Sequence, residues 1–84
     1  MRTQARFILA DNQGQVYECY NRDHKCRIEI KDGIVTRYWR DNPIPLTEAV
    51  DALNDYFRAR HAEYVTWAQR NNLDADLPLY SVSA

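Results

Sequence analysis

Two cysteines and two histidines are the residues of this chain best suited to bind a metal. Thiolates and imidazoles are the usual ligands of a tetrahedral zinc site, and Cys19, His24 and Cys26 lie close in sequence, with His61 available as a fourth ligand. Their spacing differs from the Cys-x2-Cys of a zinc hairpin. The strand pairing derived below sends both cysteines into the core and leaves His24 at a loop tip. We therefore predict two buried thiols and no metal or other cofactor.

The side-chain groupings that support catalysis are missing from the sequence. Neither His24 nor His61 has an obvious serine or cysteine partner with a third, orienting group. The carboxylates Glu48, Asp51 and Asp55 recur at helical spacing, which is typical of a solvated acidic face. Both glycines belong to hairpin turns, so no glycine-rich loop remains to bind a phosphate. The sequence therefore predicts a protein that is not an enzyme. A metal-assisted hydrolase is a minor alternative, and it would need the two cysteines and two histidines to bind its metal.

The composition predicts one small domain, 1–84, in a reducing compartment. The 84 residues carry a formal net charge of −1, which argues against a general polyanion binder. Residues 1–40 hold eight Lys or Arg and five Asp or Glu, whereas residues 41–84 hold three and seven. No apolar run approaches the roughly 20 residues that span a bilayer, and the first residues lack the apolar core of a signal peptide. We expect a cytoplasmic protein, in which the cysteines stay as thiols although a disulfide between them is geometrically conceivable.

The first forty residues predict an antiparallel sheet. Apolar and polar residues alternate between turn-forming residues, which favours four strands at about 4–10, 15–21, 25–31 and 34–40. Gly14 and Gly33, the only glycines, each close a three-residue hairpin loop, where the last residue needs the left-handed backbone that glycine adopts without a clash. The connections are too short for a parallel crossover.

The turns also predict which residues face each other and which face the core. Counting outward from each turn pairs Phe7 with Cys19, Leu9 with Tyr17, Cys19 with Cys26, and Ile30 with Ile34. The inner face then collects the mostly apolar side chains of Ala5, Phe7, Leu9, Tyr17, Cys19, Cys26, Ile28, Ile30, Ile34, Thr36 and Tyr38. The outer face collects Arg6, Ile8, Val16, Glu18, Tyr20, Lys25, Arg27, Glu29, Val35, Arg37 and Trp39. We prefer this register because the alternative pairing across the Gly33 turn would place Arg37 in the core.

The second half predicts one helix, 47–71, after a proline-containing turn that ends the sheet. Thr47 is the expected N-cap, and Leu46 is expected to pack at the start of the helix. An apolar stripe follows at three- and four-residue spacing, formed by Val50, Leu53, Phe57, His61, Tyr64 and Ala68. Packed on the inner face of the sheet, this helix gives an α+β fold, a four-stranded antiparallel meander with one long C-terminal helix.

The predicted helix is longer than the sheet that it covers. It spans roughly 37 Å, whereas a strand of seven residues spans about 23 Å. The distal half must therefore stay exposed, break near 60–61 or pack on something else. We expect Tyr56, Tyr64 and Trp67 to bind a second copy of the chain or another partner. The tail 72–84 could fold back over part of this overhang, and its residues 81–84 are expected to fray.

The outer sheet face is the best candidate for a functional surface. Tyr20, Arg27, Arg37 and Trp39 combine aromatic rings with arginine, which is the composition of protein-interface anchors. The same composition suits a sheet that stacks bases, so a nucleic-acid-binding domain is the alternative function. Coverage of this face by the tail or by a second copy is the remaining interpretation. Our lead hypothesis is a small protein-interaction module whose partner meets either the outer sheet face or the acidic helix.

In size and composition the chain resembles the small accessory and inhibitor proteins of phages and other mobile elements, including anti-CRISPR proteins. The resemblance implies a non-catalytic protein that acts by binding a partner protein. It implies neither a cofactor nor a membrane.

Overall fold

The computed structural model describes residues 2–38 and 43–84. Within them, one antiparallel sheet in the order β1-β2-β3-β4 precedes a single long helix, α1. The elements are β1 (Gln4–Asp11), β2 (Gly14–Tyr20), β3 (Lys25–Lys31), β4 (Ile34–Tyr38) and α1 (Leu46–Arg70). This confirms the predicted α+β meander with a C-terminal helix. Trp39, one of the four residues predicted to form the functional surface on the outer face, lies outside the described residues.

The β2–β3 hairpin has the predicted register. Cys19 lies opposite Cys26, and Glu18 lies opposite Arg27. The connecting loop is ordered by Asn21, whose Oδ1 accepts hydrogen bonds from the backbone N–H groups of Asp23 at 3.0 Å and His24 at 2.9 Å. The hairpin therefore needs no glycine in its loop.

The predicted register of the β1–β2 hairpin is wrong by two residues at its open end. Phe7 lies opposite Tyr17, not Cys19, so it keeps its predicted inner face. A β-bulge between Phe7 and Leu9 then shifts the pairing, and Leu9 lies opposite Val16 instead of Tyr17. The bulge turns Leu9 to the outer face, where it is 46% exposed.

The turn between β1 and β2 is one residue shorter than predicted. Asp11 pairs directly with Gly14, which leaves a two-residue loop. Gly14 has a φ of +125°, and a Cβ atom at this position would lie only 2.3 Å from the carbonyl oxygen of Ile30. The glycine is thus required by both its backbone conformation and its close approach to β3.

The predicted register of the β3–β4 hairpin is also wrong, because its turn has two residues and not three. Asp32 and Gly33 both have positive φ, at 53° and 77°, as a type I′ turn requires. Ile34 therefore pairs with Lys31 and lies on the outer face, and Val35 pairs with Ile30 and packs against the core.

A second bulge, further along β4, returns the side chains beyond it to their predicted faces. The register shifts after Val35, so that Arg37 lies opposite Glu29 on the outer face and Tyr38 lies opposite Ile28 on the inner face. The strands therefore adopt the alternative register next to the turn, and the bulge beyond it keeps Arg37 out of the core.

The core lies between the inner sheet face and α1. Small side chains, Ala5 on the sheet and Ala49 and Ala52 on the helix, allow α1 to lie close against β1. Larger side chains fill the space toward β3, where Leu53 and Phe57 join a buried cluster with Tyr17, Ile28, Ile30 and Ile44. Within residues 2–38 and 43–84, no helix combines the length and the apolarity that crossing a membrane requires.

The helix begins at Leu46, and the predicted Thr47 N-cap is wrong. Pro45 occupies the cap position with extended backbone angles and no side-chain hydrogen bond. Its carbonyl accepts the first helical bond, from the N–H of Ala49 at 3.0 Å. Proline is compatible with this cap position because its φ of −62° lies in its fixed range and the helical hydrogen bonds do not use an N–H of the cap residue.

The C-terminal tail folds back along α1 and reaches the sheet. Asn72 adopts a left-handed conformation, with a φ of +55°, which reverses the chain after the helix. Val82 is buried at 5% exposure, and its N–H and C=O bond to the side chain of Asn54 at 2.8 and 3.1 Å. Ser83 forms a parallel bridge with Ile34 of β4. The expectation that 81–84 fray is therefore wrong, because a buried side chain and paired backbone groups hold them.

Candidate binding surface on the outer sheet face

The outer face of the sheet is built from alternate residues of all four strands. Pairing places on it the described side chains of Gln4, Arg6, Leu9, Val16, Glu18, Tyr20, Lys25, Arg27, Glu29, Lys31, Ile34 and Arg37. The helix packs on the opposite face, and the tail lies beside α1 and the edge of β4. In the described part of the chain, neither element covers the outer face.

A charged row crosses the middle of this face. Arg6, Glu18 and Arg27 occupy directly opposed positions on β1, β2 and β3. Glu18 is buried at 7% exposure, and its Oε1 lies 2.6 Å from Nη2 of Arg6. A buried carboxylate needs such a partner, since leaving it uncompensated would cost several kcal/mol. The ion pair fixes Arg6 in place.

Tyr20 is held beside this row. The guanidinium carbon of Arg6 lies 5.5 Å from the centroid of the Tyr20 ring, within range of a cation–π interaction. The Tyr20 hydroxyl donates a hydrogen bond to Oε1 of Gln4 at 3.2 Å. Tyr20 and Arg6 therefore form one ordered aromatic and cationic group.

The structure brings three of the four predicted outer-face residues onto one surface. Tyr20 is half-buried, while Arg27 and Arg37 are exposed. Arg27 lies diagonally between Tyr20 on β2 and Arg37 on β4. Sequence reasoning missed Leu9 and Ile34 as members of this face, because it predicted three-residue turns where both turns have two residues. It placed Arg6 there without recognising its pairing with Glu18.

The helix overhang is less open than predicted. Tyr56 packs against the core, with its ring centroid 5.8 Å from that of Tyr17 and 5.5 Å from that of Phe57. The hydroxyl of Tyr64 donates to Oδ1 of Asp76 in the tail at 3.2 Å. Of the three predicted overhang residues, only Trp67 remains largely exposed, at 55%.

Cys19 and Cys26 are buried and form no disulfide, as predicted. The hydrogen bond with Cys26, together with burial, raises the pKa of the Cys19 thiol above its ordinary value. His24 is exposed, and His61 lies on α1 with Nε2 at 3.0 Å from the carbonyl oxygen of Leu77. Among the described residues, no three His, Cys, Asp or Glu side chains come together as a metal site.

No protein-family model matches the chain, and no curated protein or solved structure matches it.

Proposed function

We propose that the chain is a non-catalytic protein-interaction module that binds a partner protein through the outer face of its sheet. The observation that carries this proposal is the position of the helix and the tail. Both lie away from the outer face, although this face holds exposed apolar and arginine side chains, which are typical of protein interfaces. The tail was one candidate cover for it, and the tail instead lies at β4.

The chemistry of the face supports a protein partner with an acidic and partly apolar surface. Leu9 and Ile34 are 46% and 51% exposed, which offers apolar contact area. Arg27 and Arg37 lie on the same face and supply a residue type that is enriched, together with aromatic residues, at interface hot spots. The described side chains of the face are more often cationic than acidic, so an acidic surface complements them.

Nucleic-acid binding is the second candidate for the same surface. Two carboxylates weigh against it. Glu18 lies at the centre of the face, and Glu29 lies opposite Arg37, so phosphates would approach acidic groups. A protein partner can present groups that avoid these carboxylates, whereas a phosphate backbone is uniformly anionic.

The proposal extends to the biological role that size and composition imply. An accessory or inhibitor protein of a phage or other mobile element acts by occupying its partner, and such a role requires a binding face and no catalytic site. We place this activity in the cytoplasm, where two facing thiols stay reduced.

Partner capture with two arginine variants tests the proposed function. Arg27→Ala and Arg37→Ala should each retain the thermal transition of the wild type and lose partner capture from a lysate of the native cell. Arg70→Ala, an exposed arginine at the end of α1, is the matched control and should capture normally. Equal capture by all variants would refute the proposal. Tight binding to DNA or RNA at 150 mM salt, lost in the same two variants, would favour the second candidate.

A further inference from the structure

A depression of about 330 Å³ lies on the outer face next to the β2–β3 loop. Glu18 and Tyr20 line its inner part, and Arg6 forms one wall. Arg22, His24 and Lys25, all exposed, surround it from the loop. The depression therefore joins the ordered Arg6 and Tyr20 group to a basic loop.

Hydrogen bonds hold the backbone of the loop, so the positions from which its basic side chains extend are fixed. Asn21 bonds through its side chain to the backbone of Asp23 and His24, and its own N–H donates to the carbonyl of His24 at 2.9 Å. This arrangement closes the loop without help from Arg22 or Lys25. Because the loop hydrogen bonds do not use these two basic side chains, both can bind a partner without disturbing the loop.

The balance of charge at the depression is positive at its rim and neutral in its inner part. Glu18 offsets Arg6 through the 2.6 Å ion pair. Arg22 and Lys25 stand at the rim beside one carboxylate, Asp23. A ligand for the depression therefore needs negative charge at the rim and no charge above the ion-paired Glu18. Carboxylates spaced along a peptide satisfy both conditions, because each can pair with a rim cation while an uncharged part of the peptide covers Tyr20.

We propose that this depression binds an acidic segment of the partner, with side-chain carboxylates paired to Arg22 and Lys25. The inference rests on the proposed function and adds the location and the chemistry of the contact. It places the acidic segment at the end of the sheet where the β2–β3 loop lies, on the same face as Arg27.

An NMR titration of the full ¹⁵N-labelled chain with an octaglutamate peptide tests the inference. We expect the amide signals of residues 20–25 to shift most, and the affinity to fall as salt is raised from 50 to 150 mM. The double variant Arg22→Ala/Lys25→Ala should weaken binding by about threefold to tenfold, as expected for two exposed ion pairs. Arg60→Ala/Arg70→Ala removes two exposed cations of α1, away from the outer face, and should bind like the wild type. Octaglutamine should cause no shifts.

Three results would overturn the inference. The first is the absence of shifts at residues 20–25, or an unchanged affinity for octaglutamate in Arg22→Ala/Lys25→Ala. The second is a stronger response of these amides to inorganic phosphate or a phosphoserine peptide than to octaglutamate, which would make the depression a phosphate site. The third is a stronger response to duplex DNA.

The same variants separate this inference from the proposed function. If Arg22→Ala/Lys25→Ala captures the partner while Arg27→Ala does not, the outer face still binds protein but the acidic segment does not enter the depression. If neither variant changes capture, both proposals fail.

Discussion

The C-terminal tail is attached to α1 through Asn54, and this attachment allows the loss of stability in Asn54→Ala to be predicted. This side chain on α1 donates from Nδ2 to the carbonyl oxygen of Val82 at 3.1 Å and accepts at Oδ1 from the N–H of Val82 at 2.8 Å. The two bonds join positions that are 28 residues apart in the sequence. Asn54→Ala removes both partners of a buried residue's backbone, so the tail should loosen from the helix and from β4.

The magnitude follows from the two hydrogen bonds. Each is worth about 0.5–1.5 kcal/mol net, so Asn54→Ala should lower the free energy of unfolding by about 1–3 kcal/mol. A domain of this size has a total stability of roughly 4–13 kcal/mol, which makes the loss easy to detect. The melting temperature should fall by about 4–8 °C for each kcal/mol lost. Asn54→Asp keeps the acceptor but turns a carboxylate oxygen toward the carbonyl oxygen of Val82, so it should not recover the stability of the wild type.

Urea and thermal unfolding followed by circular dichroism measure this loss. Gln69→Ala, at an exposed position of the same helix, is the control and should be neutral or slightly stabilising. Amide hydrogen exchange adds a local measurement, because the N–H of Val35 donates to Ser83 at 3.1 Å and should exchange faster in Asn54→Ala. If Asn54→Ala melts like Gln69→Ala and the exchange of Val35 is unchanged, the tail is not fastened as described.

Three further outcomes are expected. Cys19→Ser/Cys26→Ser should lose about 1–3 kcal/mol by burying two hydroxyls, and stoichiometric zinc in the wild-type protein would contradict the assignment of structural thiols. Burial raises the pKa of Tyr17 to about 12, so the folded state holds this proton more tightly than the unfolded state. The corresponding stability is present below pH 10 and lost between pH 10 and 12, and a stability difference from Tyr17→Phe that does not change over this range would refute it. If Trp67 binds a second copy, light scattering at micromolar concentration should give twice 9.9 kDa and Trp67→Glu should give a monomer; a monomeric wild type would leave Trp67 without this role.

The elements of the fold could be predicted because their signals are local. Strand alternation, turn residues and the helical stripe gave the strand order and the long helix. The register of β2 and β3 followed from pairing Tyr20 with Lys25 across a four-residue loop. The other two registers were predicted wrongly because each turn has two residues and not three. A bulge then shifts each register again, and it adds one unpaired residue without a distinctive residue type. Both bulges lie in ordinary strand sequence, between Phe7 and Leu9 and after Val35.

The position of the tail was beyond sequence reasoning for a different reason. Val82 and Ser83 belong to a short polar C-terminal stretch that resembles a frayed end. Their order depends on Asn54 and on the edge of β4, and such long-range partners leave no periodic pattern. On the outer face, Tyr20, Arg27 and Arg37 could be placed by alternation alone. The burial of Glu18 could not, because it depends on the conformation of the Arg6 side chain.

The central claim is that the partner meets the outer face of the sheet. A photoreactive benzoylphenylalanine in place of Ile34, which is 51% exposed on this face, tests it most directly. The same group in place of Thr66, exposed on the distal half of α1, is the matched control. We predict that irradiation in a lysate of the native cell crosslinks the partner from position 34 and not from position 66. Crosslinking from position 66 alone would contradict the claim and move the binding surface to the helix.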